Sequence, residues 1–252
     1  MSMFHRLPAP LHRAFAEGRA LKIISGLQNF DLDSVGRVVR AAQAGGATYV
    51  DIAADPRLVA LAKRETHLPV CVSAVVPTQL AQAVAAGADL VEIGNYDSFY
   101  GEGRVFSAET VVRLACETRV LLPDTALSVT VPHTLPLDAQ VALAEKLVEV
   151  GADLIQTEGG TFSQPQHAGT LGAIEKAAPT LAAAREISRA VAIPVLCASG
   201  LSDVTVPLAI AAGARGVGVG SAVNKLADEI LAIAAVRSLR AALDGVVTRA
   251  IA

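Results

Sequence analysis

A repeat restricts the fold of this chain more than any other feature. GATYVDIA (46–53), GADLVEIG (87–94), GADLIQTE (151–158) and GARGVGVG (213–220) share one pattern: a helical stretch ends at glycine, the chain turns, and an apolar strand begins. Gly46, Gly87, Gly151 and Gly213 suit the left-handed cap that closes a helix, where a Cβ costs energy. A unit that recurs in this way reads as a series of βα elements. Eight short apolar runs fit the strands, at 21–25, 48–52, 69–73, 89–93, 126–131, 153–157, 194–198 and 216–220. Their Val/Ile/Leu content is that of strands buried on both faces. The intervening stretches have helical periodicity. In 137–150, Leu137, Val141, Ala144 and Val148 recur on one face. Eight units of similar size favour closure into a (β/α)8 TIM barrel, a fold that typically takes about 250 residues. The 252 residues are therefore read as one barrel domain, 1–252, with residues 8–18 as an extra N-terminal helix plugging its base.

The repeat also aligns positions on the even strands. Asp51, Glu92, Gln156 and Gly218 share one slot, and Ala53, Gly94, Glu158 and Gly220 the slot two residues on. Alternation along a strand sends each set to one side. Facing outward, three polar groups would meet apolar helices without partners, which is costly. The inward direction is expected, with the slot of Glu158 and Gly220 at the C-terminal rim, where barrel active sites lie.

Composition removes several function classes. Net charge is −3, aromatic residues are 4% of the chain, and Trp is absent. Nucleic-acid binding would need clustered cations and stacking rings. Apolar residues make up 52% and charged residues 18%, enough for a large core. No apolar run is long enough to span a bilayer, and the start lacks a signal peptide's apolar stretch. The cysteines, Cys71, Cys116 and Cys197, are odd in number and without CxxC spacing, so no disulfide is expected and a reducing, cytoplasmic setting fits.

A phosphate-binding corner is expected at strands 7 and 8. Ser199-Gly200 follow the seventh strand, and Gly220-Ser221 follow the eighth and open the last helix. Glycine lets backbone N–H groups approach an anion closely, and barrels commonly hold substrate phosphate at this place. The alternative is that Gly218 and Gly220 only make room in a crowded barrel centre.

On these residues the chain also resembles a family. LKIISGL (21–27), GGATYVDIAA (45–54), PVCVSAV (69–75), GADLVEIGNYDSFY (87–100), VTVPHTL (129–135), QTEGG (156–160) and IPVLCASGL (193–201) are similar to the "hypothetical chloroplast open reading frame 23" family over most of 21–223. The resemblance implies a TIM barrel of unassigned biochemical function from a cyanobacterium or a plastid, hence cyanobacterial cytoplasm or plastid stroma. It carries over no catalytic residue.

Five side chains are candidates for chemistry. Lys22 lies inside an apolar strand, where it is a Schiff-base nucleophile, a general acid, or the cation of a salt bridge with Asp51 or Glu92. Asp51 and Glu92 share a slot, which suits proton transfer through one raised pKa or a structural cluster with Lys22. His133 follows the fifth strand, and Glu158 tops the sixth, free to act as a base or to pair with Lys176. The loops at 94–100 and 161–176 have the length of lids or binding loops. No metal motif occurs; Asp51, Glu92 and His133 could meet only in three dimensions. Three functions stay open: a lyase, isomerase or aldolase of a small phosphorylated metabolite; an FMN-dependent oxidoreductase using the same corner; and a non-enzymatic ligand-sensing barrel. Assembly into a homo-oligomer also stays open.

Overall fold

The computed structural model describes residues 6–94, 96–160 and 163–251, with side chains through 246. Asn95, Thr161 and Phe162 of the two long loops, and the first five residues, lie outside the described residues.

Eight parallel strands close into a barrel in sequence order. They are β1 (Ala20–Gly26), β2 (Tyr49–Ala53), β3 (Val70–Ala74), β4 (Leu90–Ile93), β5 (Ala126–Thr130), β6 (Leu154–Gln156), β7 (Val195–Ala198) and β8 (Gly216–Val219). All eight fall on the expected runs. The repeat glycines have φ of 85° (Gly46), 108° (Gly87), 93° (Gly151) and 109° (Gly213), the left-handed conformation their position called for.

Outward residues such as Ile23, Val50, Val72, Val91, Val129, Ile155 and Val217 pack under the surrounding helices as one core. Inside, the lowest layer is apolar. Tyr49, Cys71, Leu90, Leu154 and Leu196 meet Leu11 and Phe15 of α1 (Ala9–Ala16), the plug expected from residues 8–18. The three cysteines are free, with Cys71 and Cys197 buried on β3 and β7. No described helix is long and apolar enough to cross a membrane.

Two expectations need correction. The segment 161–176 is not loop throughout, because α8 (Gly169–Ala190) begins inside it. Glu175 on this helix accepts from Gln166 N and His167 N and lies 2.6 Å from His167 Nδ1, folding the polar segment back onto its own helix. The helix at Ser221 is not the last one. It is a single turn, α10 (Ser221–Asn224), and the chain bends before α11 (Glu229–Ile251). Its dipole is correspondingly small, so an anion there depends on local N–H groups.

Candidate functional site

Above the apolar floor lies a polar layer. Lys22, Asp51, Ser73, Glu92, Ser128 and Gln156 are each at most 2% exposed. The shared slot therefore points inward, as expected. Lys22 Nζ donates to Glu92 Oε2 at 2.7 Å and to Gln156 Oε1 at 3.0 Å, and lies 3.2 Å from Asp51 Oδ2. Ser128 donates to Glu92 Oε2, Gln156 Nε2 to Glu92 Oε1, and Ser73 to Asp51 Oδ1. Burial works against the Lys22 ammonium, yet Asp51 and Glu92 hold its pKa well above the ordinary value. Burial pushes the Asp51 carboxyl up to about 6; Lys22 opposes this and Glu92 adds to it. Two carboxylates and one ammonium leave this layer one negative charge in excess.

A second cluster sits at the rim. Glu158 is 3% exposed, and its Oε1 accepts from Tyr100 Oη (2.5 Å) and His133 N (3.1 Å), with His133 Nδ1 also at 3.1 Å. Lys176, the alternative partner, makes no ion pair with it among the described residues. Asp97 Oδ1 is 4.0 Å from His133 Nδ1, and Asp97 Oδ2 accepts from Ser199 Oγ at 3.2 Å. Glu158 Oε2 and Asp97 Oδ1 are buried without a hydrogen-bond partner. Burial raises the Glu158 carboxyl, against the hydrogen bond from His133; the same bond raises the His133 imidazole. A carboxyl shifted up beside an imidazole shifted up can pass a proton near neutral pH.

Asp51, Glu92 and His133, which only three dimensions could have brought together, do not assemble. The first two turn to Lys22 in the layer below, and His133 joins Asp97 and Glu158 instead. Sequence reasoning marked the loop holding Asp97 and Tyr100 but neither residue. They are the ends of a one-turn helix, α5 (Asp97–Tyr100), and their i,i+3 spacing puts both on one face. Tyr96 stacks on Phe106 at 4.4 Å and Phe99 meets Phe106 at 5.7 Å, which turns the polar face inward. The aromatic residues of 94–106 were the available signal.

The rim cluster opens onto a cavity of about 520 Å³ whose wall includes Ile24, Asn29, Asp97, Glu158, Ser199, Gly200, Gly220, Ser221, Asn224 and Lys225. The expected phosphate corner thus faces the same space as Glu158. Among the described residues, the backbone N–H groups of Gly200, Gly220 and Ser221 donate to no protein acceptor. Ser199 holds a φ of 77° and Gly200 one of 73°. A Cβ on Gly160 would stand 2.5 Å from Gly200 Cα, so the loops after β6 and β7 touch backbone to backbone. A Cβ on Gly218 would meet Ala198 Cβ at 2.9 Å, whereas one on Gly220 would meet nothing closer than 3.6 Å. Packing therefore accounts for Gly218 but not for Gly220. Asn224 and Lys225 were not foreseen. Asn224 Nδ2 bridges Ile24 O and Ser25 O, and Lys225 brings the cation among the lining residues. Among the described residues, none of those lining the cavity is aromatic.

Residues 7–248 match a family described as a protein of unknown function, DUF561. The chain is also 45% identical over 209 residues to the uncharacterized protein ycf23 of Cyanophora paradoxa, covering 82% of this chain and 86% of that one. It belongs to this family. A thiamine-phosphate synthase of Methanoculleus marisnigri is 32% identical over 212 residues, 81% of this chain and 85% of its own. Among solved structures, 3-hexulose-6-phosphate synthase superposes with a TM-score of 0.62 at 17% identity, covering 88% of this chain and 99% of that one. A thiamine phosphate pyrophosphorylase from Pyrococcus furiosus gives 0.58 at 21%, covering 91% and 98%. At these identities the likeness of the two solved structures to this chain is one of fold.

Proposed function

We propose that this ycf23 family member is an enzyme of the lyase, isomerase or aldolase type acting on a small phosphorylated metabolite. One observation carries the reading: unsatisfied backbone donors and the Glu158 carboxyl, which is held by His133, face one cavity. Its volume of about 520 Å³ lies in the range of small-molecule sites. The phosphate would sit between Ser199-Gly200 and Gly220-Ser221, met by N–H groups and by Lys225. Glu158 and His133 would move the proton, with Tyr100 orienting Glu158. Lys22, Asp51 and Glu92 lie in the closed layer beneath and act on the fold rather than on the substrate. The phosphate compounds in the names of the Methanoculleus relative and the solved neighbours support the substrate class.

The test starts from binding. The intact chain should take up inorganic phosphate or phosphorylated ketoses by calorimetry. Gly220→Ala should retain most of this affinity, and Gly220→Glu should lose it through bulk and like charge. A panel of phosphorylated ketoses and aldoses in D2O then reports proton exchange by NMR, and Glu158→Gln should slow it about 100-fold or more. Equal phosphate affinity in wild type and Gly220→Glu would sink the proposal.

A further inference from the structure

The rim cluster holds more unsatisfied charge than proton transfer requires. Asp97, His133 and Glu158 each offer one ligand atom, and these atoms lie within 4.8 Å of one another. Ligands about 2.1 Å from a single ion stand at most about 4.2 Å apart. Side-chain shifts of under about 1 Å would bring all three onto one centre. Glu158 is 3% exposed; its Oε1 is engaged by Tyr100 and His133, while its Oε2 has no hydrogen-bond partner. Asp97 repeats the arrangement, with Oδ2 held by Ser199 and Oδ1 buried without a partner on the side of His133. Buried carboxylate oxygens without donors are costly. Two of them beside one imidazole form a set of acceptors with a common missing partner.

We infer that Asp97, His133 and Glu158 bind one divalent transition cation at the mouth of the barrel. The donor set decides the class. Carboxylates suit Mg2+, Ca2+ and Mn2+, imidazole suits Zn2+ and its neighbours, and Mn2+ or Zn2+ accepts both. Tyr100 donates to Glu158 Oε1 and Ser199 to Asp97 Oδ2, the kind of hydrogen bond that orients a metal-ligating carboxylate. The inference rests on the proposed substrate site and deepens it. The ion takes the place of the proton shared by Glu158 and His133. It would polarise an oxygen of a substrate anchored at Gly200 and Gly220, and in the metal-loaded protein water on the ion would move the proton in place of Glu158 and His133, which become its ligands.

Metal-stripped intact chain is titrated with Mn2+, read by the loss of the free-ion electron paramagnetic resonance signal, and with Zn2+ by competition. Wild type should bind one Mn2+ per chain, and Asp97→Asn and Glu158→Gln should bind at least about tenfold more weakly while melting like wild type. If Glu158→Gln does not fold, Asp97→Asn and His133→Asn carry the comparison. Gly220→Glu should keep the ion and lose phosphate. Absence of stoichiometric Mn2+ and Zn2+ binding to wild type, or unchanged affinity in the folded variants, overturns the cation site. Phosphate binding that persists in that case leaves the proposed function standing. Ion binding without phosphate binding upholds the site and removes the proposed substrate class.

Discussion

The barrel interior carries two polar layers that differ in how completely they are satisfied. In the lower one, Lys22 stands among Asp51, Glu92 and Gln156, Ser73 and Ser128 donate to the two carboxylates, and Asp51 Oδ2, without a hydrogen-bond donor, still faces the Lys22 ammonium at 3.2 Å. In the upper one, Glu158 and Asp97 each keep a buried oxygen without a partner and border an open cavity. Both layers use carboxylates at inward slots of the strands or the loops above them. Charges that find partners inside the barrel hold strands together; charges left short of partners next to a cavity can accept something from outside.

The largest effect is expected at Lys22. Lys22→Met leaves Asp51 and Glu92 buried without their cation, and should cost about 3–5 kcal/mol in urea unfolding. Adding Asp51→Asn and Glu92→Gln should recover most of that loss, since the uncompensated charges go with it. Glu158→Gln should unfold near wild type. Equal stability of Lys22→Met and wild type would erase the distinction between the layers.

Asp51 gives the next effect. Its folded pKa of about 6 lies above the unfolded value of 3.8. The native state therefore binds the extra proton between these values, and the stability this group contributes is lost as pH rises through about 6. Asp51→Asn removes the dependence. Its stability relative to wild type should be better at pH 8 than at pH 5 by roughly 1.4 kcal/mol. A difference that is flat with pH, or of opposite sign, would show that Asp51 is fully compensated.

The glycines within and just after β8 offer a comparison of similar size. Gly218→Ala forces a Cβ against Ala198 and should cost about 1–3 kcal/mol. Gly220→Ala has room and should stay within about 0.5 kcal/mol. A reversed order in thermal melts would assign Gly220 to packing and weaken the phosphate corner.

The smallest effect is at Ser199, the non-glycine residue with positive φ among the described residues. Ser199→Gly relieves the left-handed strain and should gain up to about 1 kcal/mol, offset by the lost bond to Asp97. Its phosphate affinity should fall. A gain in both would mean that the strain serves no site.

The sequence by itself determined the barrel. The repeat glycines, the apolar runs and the shared inward slots are local signals of backbone conformation and alternation, and each agrees with its neighbours. It also pointed to two loops that line the cavity, because Ser199-Gly200 and Gly220-Ser221 follow consecutive strands. Which charges meet was decided only by the tertiary structure. Asp51 and Glu92 were legible as inward residues, but Lys22 lies 29 and 70 positions from them along the chain (51 − 22 and 92 − 22), and strand closure alone brings the three together. Asp97 reaches His133 and Glu158 because Tyr96, Phe99 and Phe106 seat one short helix over the rim. Local sequence sets the direction of each side chain. The distance between two of them is set by the closure of the barrel and the packing of its loops, which no single segment encodes.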